Sequence, residues 1–211
     1  GGNGTMVVGW LWLEEGRYYL RDGALLTGWQ EINGDTYHFS SDGIASLGWT
    51  EIDGNVYYFD EGVMSTGYTT LDEKTYLFCD DGSLYTGWLE QEDGYRYFQE
   101  DGTAFTDGYL NFAVDGKEYY FFFQEDGSAF TGGYKEITID GKLCYFYFLA
   151  NGQGFNTGYK TVMIDGKKYY FYFDANGQAK TNTMVDIPLG ERTAYMLFQE
   201  NGKAFTAGYK E

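Results

Sequence analysis

Residues 27–39 read TGWQEINGDTYHF. A Gly-Trp pair opens a short polar strand, Asn33-Gly34 turns it, and an aromatic cluster closes it. Asn-Gly between two strand-like runs signals a two-residue hairpin turn, because both central residues must take positive φ. The phrase returns as Gly48-Trp49 followed by TEIDGNVYYF, with Asp53-Gly54 at the turn. Its leading aromatics are Trp10, Trp29, Trp49, Tyr68, Trp88, Tyr109, Tyr134, Tyr159 and Tyr209, with Met184 in the remaining place. Steps of 19–21 residues run as far as Tyr109, and steps of 25 follow. A fixed period of this size is the signature of a solenoid or array, in which each unit buries its apolar side against its neighbours. The expected fold is all-β, a β-solenoid of stacked hairpins. Short repeats fill 1–108 and long repeats 109–211, in one continuous stack.

A two-residue turn fixes which residues face each other. Asn33-Gly34 sets Trp29 opposite His38, and Asp53-Gly54 sets Trp49 opposite Tyr58. Asp115-Gly116, Asp140-Gly141 and Asp165-Gly166 set Tyr109 opposite Phe122, Tyr134 opposite Tyr147, and Tyr159 opposite Tyr172. Strand side chains alternate faces. One face therefore collects Leu13, Ile32, Ile52 and Leu71 with Tyr57, Phe59, Phe121, Phe123, Phe146, Phe148, Phe171 and Phe173, as a shared core. The long repeats add Phe112, Val114, Ile137, Ile139, Val162, Ile164, Ile187 and Leu189. The other face carries the leading aromatics and their partners. On this reading Trp49→Ala costs little stability, because the core face stays intact. Trp12 falls outside the repeat and is expected to pack at the N-terminal end.

Aromatics make up 21% of the 211 residues, far above what a disordered chain carries. The formal charge of −18 disfavours a phosphate backbone, which needs clustered Lys and Arg, and disfavours anionic membrane surfaces. Neutral sugars and cations remain compatible. No apolar run is long enough to span a bilayer, and no signal peptide is read. The opening GGNGTMVV reads either as an added leader or as a repeat cut short, and the final AGYKE breaks off where a tenth unit would begin, as expected of a fragment of a longer protein. Cys79 and Cys144 lie 65 residues apart in different repeats, as packed thiols rather than a disulfide framework or metal site.

Little in the chain points to catalysis. The one histidine, His38, occupies a slot that other repeats fill with Tyr58, Leu77 or Tyr97, so no nucleophile–base pair is indicated. Asp22, Asp42, Asp81, Asp101 and Asp126 all precede the same turn glycine. Asp caps its own turn backbone, and this accounts for the repetition without a metal. A Ca²⁺ site there lacks EF-hand spacing. No catalytic residue, metal or cofactor is expected.

The stretches TGWQEINGDTYHFSSDGIASLGW (27–49) and TGYKTVMIDGKKYYFYFDANGQAKT (157–181) resemble the cell-wall-binding repeats of choline-binding proteins, glucan-binding domains of glucansucrases and receptor-binding repeats of large clostridial toxins. The resemblance implies a superhelical hairpin solenoid with ligand sites of aromatic rings between consecutive units. Choline cages of the family use a second Trp at the start of the return strand. Here those positions hold Arg17, Thr36, Val56, Thr75 and Tyr95, so the chain resembles the glucan-binding and toxin-type repeats more closely. The implied function is a non-catalytic module attaching a larger secreted or surface protein of a Gram-positive bacterium to an α-glucan or cell-wall glycan. A choline-binding anchor to teichoic acid and a structural spacer or protein-docking array are the alternatives. The expected ligand-binding rings are Trp29, Trp49, Tyr68, Trp88, Tyr134 and Tyr159, with the cross-strand partners His38, Tyr58, Tyr97, Tyr147 and Tyr172.

Overall fold

The computed structural model describes residues 8–92, 94–114 and 117–205, with the side chains of residues 113, 114 and 189 left aside. The expected Asp115-Gly116 turn, Tyr209 and the side chains of Val114 and Leu189 lie outside this description. Among the described residues there is no helix, and so none long and apolar enough to cross a membrane. The fold is all-β, a series of antiparallel hairpins.

The short hairpins pair Gly9–Leu13 with Gly16–Arg21, Gly28–Ile32 with Asp35–Phe39, and Gly48–Ile52 with Asn55–Asp60. Gly67–Leu71 then pairs with Lys74–Phe78, and Gly87–Gln91 with Gly94–Phe98. The long hairpins pair Gly108–Val114 with Lys117–Phe123, Gly133–Ile139 with Lys142–Phe148, Gly158–Ile164 with Lys167–Phe173, and Thr183–Leu189 with Arg192–Phe198. Each facing pair expected from the turns is present: Trp29–His38, Trp49–Tyr58, Tyr109–Phe122, Tyr134–Tyr147 and Tyr159–Tyr172. Asn33 and Gly34 take φ of 57° and 96°, and Asp53 and Gly54 take 52° and 83°, as a type I′ turn requires. The fourth hairpin makes the same kind of turn without glycine, with Asp72 and Glu73 at 49° and 65°.

The chain forms two compact units. One contains Gly1–Gly87 and Phe98–Ala104, the other Trp88–Tyr97 and Phe105–Glu211. In both, the return strand ends on a phenylalanine that the following loop covers. These closing rings are Phe39, Phe59, Phe78 and Phe98 in the first unit and Phe123, Phe148, Phe173 and Phe198 in the second, each at most 1% exposed. Burying such a side chain stabilises by roughly 1.5–3 kcal/mol. The loops rejoin the strand through isolated bridges such as Phe39–Ala45 and Phe123–Ala129.

A second main-chain bond ties seven of the loops to the hairpin before. In the first unit the N–H groups of Ala45, Leu84 and Ala104 donate to the carbonyls of Arg17, Val56 and Thr75. In the second, Ala129, Gly154, Ala179 and Ala204 donate to Tyr95, Tyr120, Tyr145 and Tyr170. Every acceptor lies three residues before the closing position.

The leading rings depart from a simple two-faced strand. Trp29 sits 5.0 Å from Tyr57 and 5.9 Å from Phe59. Trp49 sits 5.0 Å from Tyr76 and 5.8 Å from Phe78. Each thus lies on the core rings of the next hairpin. In the second unit Tyr109 and Tyr134 do the same against Phe146 and Phe171, at 4.9 and 5.3 Å. The expected division into core face and ligand face therefore needs correcting: one hairpin's outer face is partly its successor's cover. Leu13 is 51% exposed although its counterpart Ile32 is buried, and Trp12 is 64% exposed rather than packed. Cys144 is buried and Cys79 half-buried, both free thiols.

Candidate functional site

The predicted ring pairs lie in separate hairpins and do not converge on one pocket. In the first unit Trp29 and His38 have ring centroids 4.9 Å apart, and His38 Nδ1 lies 2.8 Å from Ser46 Oγ. Partial burial holds the His38 pKa below its usual value, against the opposing pull of Asp53. Trp49 and Tyr58 meet edge to face at 5.2 Å. Tyr68 faces Leu77 and stays half-exposed. In the second unit Trp88 tilts against Tyr97 at 4.9 Å. Tyr159 faces Tyr172 but stacks on Tyr170, 5.7 Å away.

Tyr134 and Tyr147 face each other, yet Tyr147 is already covered. Lys160 Nζ, from the next hairpin, lies 4.3 Å from the Tyr147 ring centroid and 4.6 Å from that of Phe155. One repeat earlier Lys135 Nζ lies 4.2 Å from Phe122 and 4.9 Å from Phe130. An ammonium over two ring faces is a cation–π contact, so the chain supplies its own cation at these ring pairs.

One cleft has aromatic walls. Trp88 and Tyr95 of the fifth hairpin, Phe112, Tyr119 and Phe121 of the sixth, and Asn151 and Gln153 of a later loop enclose about 260 Å³. Trp88 contacts Phe112 at 4.4 Å and Phe121 at 5.0 Å, and Tyr95 meets Phe121 edge-on at 5.6 Å. The rings touch one another, so a ligand lies against the wall rather than between rings. Desolvation, then a hydrogen bond to Glu90, pushes the Tyr95 phenol pKa up, which keeps it a neutral donor. The lining holds no carboxylate, so what it offers is flat apolar surface beside two amides.

Of the predicted residues, Trp88 lines this cleft and the others do not. Tyr95 was singled out only as the aromatic at the cage position. The same position in the long repeats is filled by Tyr120, Tyr145, Tyr170 and Tyr195, three residues before each closing Phe. Counting back from that Phe would have found them. Phe112, Asn151 and Gln153 have no such signal, because their place in the cleft depends on packing between hairpins. Among the described residues no group of three or more His, Cys, Asp or Glu side chains could hold a metal. Three of the five repeated turn aspartates cap their turns as expected: Asp81, Asp101 and Asp126 each accept hydrogen bonds from the N–H and hydroxyl of the residue two positions on.

Stacked hairpins that share rings and leave an aromatic cleft define a β-repeat fold with a candidate binding surface. The chain matches the choline-binding repeat family over residues 26–67. Its fold is shared with CbpJ of Streptococcus pneumoniae TIGR4 (TM-score 0.68, 23% identity, 95% of this chain and 72% of that one). The choline-binding domain of CbpL from the same species aligns over 96% of this chain and all of its own, with TM-score 0.60 and 18% identity. Choline binding protein F of S. pneumoniae, solved in the presence of a peptidoglycan analogue, aligns over 82% of this chain with TM-score 0.62 and 21% identity. The chain spans 58% of that protein. At these identities the likeness is one of fold. No curated protein matches the chain in sequence.

Proposed function

We propose that the chain is a non-catalytic carbohydrate-binding module. It would attach a larger secreted or surface protein to a glucan or a cell-wall glycan. The observation that carries this reading is the cleft at Trp88, Tyr95, Phe112, Tyr119 and Phe121 with the amides of Asn151 and Gln153. The C–H face of a pyranose stacks on an aromatic wall, and amides supply donors and acceptors for its hydroxyls. Ligand sites of this kind join apolar walls with a few polar groups that set orientation.

Choline is the second reading, favoured by the family match over 26–67. The −3 positions inside that stretch are Thr36 and Val56, so two successive hairpins there lack a cage wall. The trimethylammonium head of choline also has no N–H with which to use Asn151 and Gln153, whereas a sugar offers several hydroxyls to them. The two readings separate in a titration followed by tryptophan fluorescence. Trp88 is the tryptophan of the second unit, the other four lying at positions 10, 12, 29 and 49. Isomaltooligosaccharide or a soluble cell-wall glycan should change its emission, and Trp88→Phe should remove that change. A response to millimolar choline with none to either glycan would reverse the order of the readings.

A further inference from the structure

Beside the aromatic cleft, Tyr95 and Asn151 also line a more polar space, and a space at the seventh hairpin shares three equivalent lining positions with it. At the fifth, Tyr95 lines a space of about 290 Å³ with Thr131, Asn151, Glu90 and Glu92. At the seventh, Tyr145 lines about 590 Å³ with Thr181, Asn182, Gln199 and Asn201, flanked by Lys142, Leu143 and Glu200. Tyr95 and Tyr145, Thr131 and Thr181, and Asn151 and Asn201 are each 50 positions apart, two long repeats. Midway, the equivalent side chains of Tyr120 and Asn156 are engaged by the protein itself, and the Asn176 main chain takes a further tyrosine. Tyr120 Oη donates to the Ala175 carbonyl at 3.2 Å, Tyr109 Oη to that of Asn176 at 3.3 Å, and Asn156 Nδ2 to that of Glu118 at 3.4 Å. The row therefore runs open, closed, open.

The asparagines are informative because their turns do not need them. Asn151 Oδ1 accepts from Gln153 N at 3.1 Å, and Asn201 Oδ1 from Lys203 N at 3.0 Å. Asp81, Asp101 and Asp126 cap their own loops with the same geometry. The turn uses one acceptor oxygen, which either residue supplies. Asparagine in place of aspartate removes a charge and adds an Nδ2 donor. It does so at three loops, those of Asn151, Asn176 and Asn201, and at the first and last of them the Asn lines a cleft together with a −3 tyrosine. Beside the glutamates these clefts already hold, the amide completes a set of donors and acceptors suited to sugar hydroxyls.

We infer that Tyr145, Thr181, Gln199 and Asn201 line a second carbohydrate subsite, equivalent to the one at Tyr95 and Asn151, so that the second unit grips one glycan chain at two points two repeats apart. This rests on the proposed glycan-binding function and adds a site, a valency and a spacing to it. Two weak subsites on one chain bind a polymer far more tightly than either binds a short sugar, by roughly 10²–10⁴-fold when the spacing permits.

The test uses the whole chain with Asn201→Asp, Asn151→Asp and the double variant. Thermal melts should be unchanged, since aspartate caps the sister loops. Isothermal titration with isomaltotriose should give two sites per chain for the wild type, one for either single variant and none for the double. Affinity for dextran should fall about 10²-fold or more in either single variant. Thr181→Trp, which fills the second cleft from its loop, should behave as Asn201→Asp does. If Asn201→Asp and Thr181→Trp keep wild-type stoichiometry and dextran affinity while Asn151→Asp abolishes binding, the second subsite is wrong and the glycan-binding reading stands. If the wild type binds neither dextran nor soluble cell-wall glycan, both fall together.

Discussion

Trp49→Ala probes the way the hairpins share rings. A buried tryptophan side chain covers up to about 250 Å². With Trp49 46% exposed, about 130 Å² of it is covered, worth about 3 kcal/mol at 25 cal/mol/Å². The edge-on contacts to Tyr58 and Tyr76 add to that figure, and compactness of the unfolded chain subtracts from it. The expected loss is therefore about 3 kcal/mol, on the scale of a core truncation, and not the small cost that a ring standing clear of the core would carry. In a unit of this size the melting temperature should drop by roughly 10–20 °C. Urea unfolding followed by far-UV circular dichroism measures the free energy, and dextran affinity is read on the same protein. The Trp88 cleft belongs to the other unit, so its sugar affinity should hold under conditions where the variant remains folded. A stability loss below about 1 kcal/mol would refute the idea that Trp49 serves its successor's core.

Lys160→Ala should cost about 1 kcal/mol through loss of its contact with Tyr147 and Phe155. Lys160→Met keeps the aliphatic stem, so a wild-type urea midpoint in that variant would show that packing, not charge, holds the site. Gly102→Ala should destabilise more than Gly54→Ala. Both glycines have positive φ, but a Cβ at Gly102 would meet Leu84 at 2.5 Å while one at Gly54 meets nothing within 4 Å, and denaturant midpoints compare them. Burial raises the phenol pKa of Tyr37, Tyr95, Tyr120, Tyr145 and Tyr159. A group whose folded pKa lies above its unfolded value stabilises fully below the unfolded pKa, here 10, and loses that contribution as pH rises through the folded value. Stability should be flat on this account up to about pH 10 and fall steeply above it. Phenolate absorbance should rise together with unfolding, and independent titration near pH 10 in a folded protein would contradict this.

The hairpins were legible because their determinants are local. Asn33-Gly34 and Asp53-Gly54 dictate turn and register within a dozen residues, and the period announces the stack. Asp72-Glu73 shows the limit of that signal: the fourth turn adopts the same left-handed pair without a glycine to advertise it. The site was less legible because its determinants are not local. Trp88 reaches Phe112 and Phe121 of another hairpin, and Asn151 arrives from a loop more than fifty residues further on. Strand alternation marks Tyr147 as an outward ring, yet cannot reveal that Lys160 of the following hairpin lies over it. Leu13 and Ile32 hold the same place in the pattern, and only their neighbours make one exposed and the other buried.

The bond that links seven of the loops to the preceding hairpin runs from main chain to main chain. Its acceptor is carried by Arg17, Val56 or Thr75 in one unit and by tyrosines in the other, and the bond is made regardless. A gene segment encoding one hairpin can therefore be copied, lost or moved in whole multiples without inventing a new joint, because the splice is written in peptide groups that every residue possesses. Side chains at that position are released from holding the array together and can drift toward new ligands one copy at a time. The aspartate-to-asparagine changes in the last three described loops have the form such drift would take: duplicates that kept their turns while changing what they display.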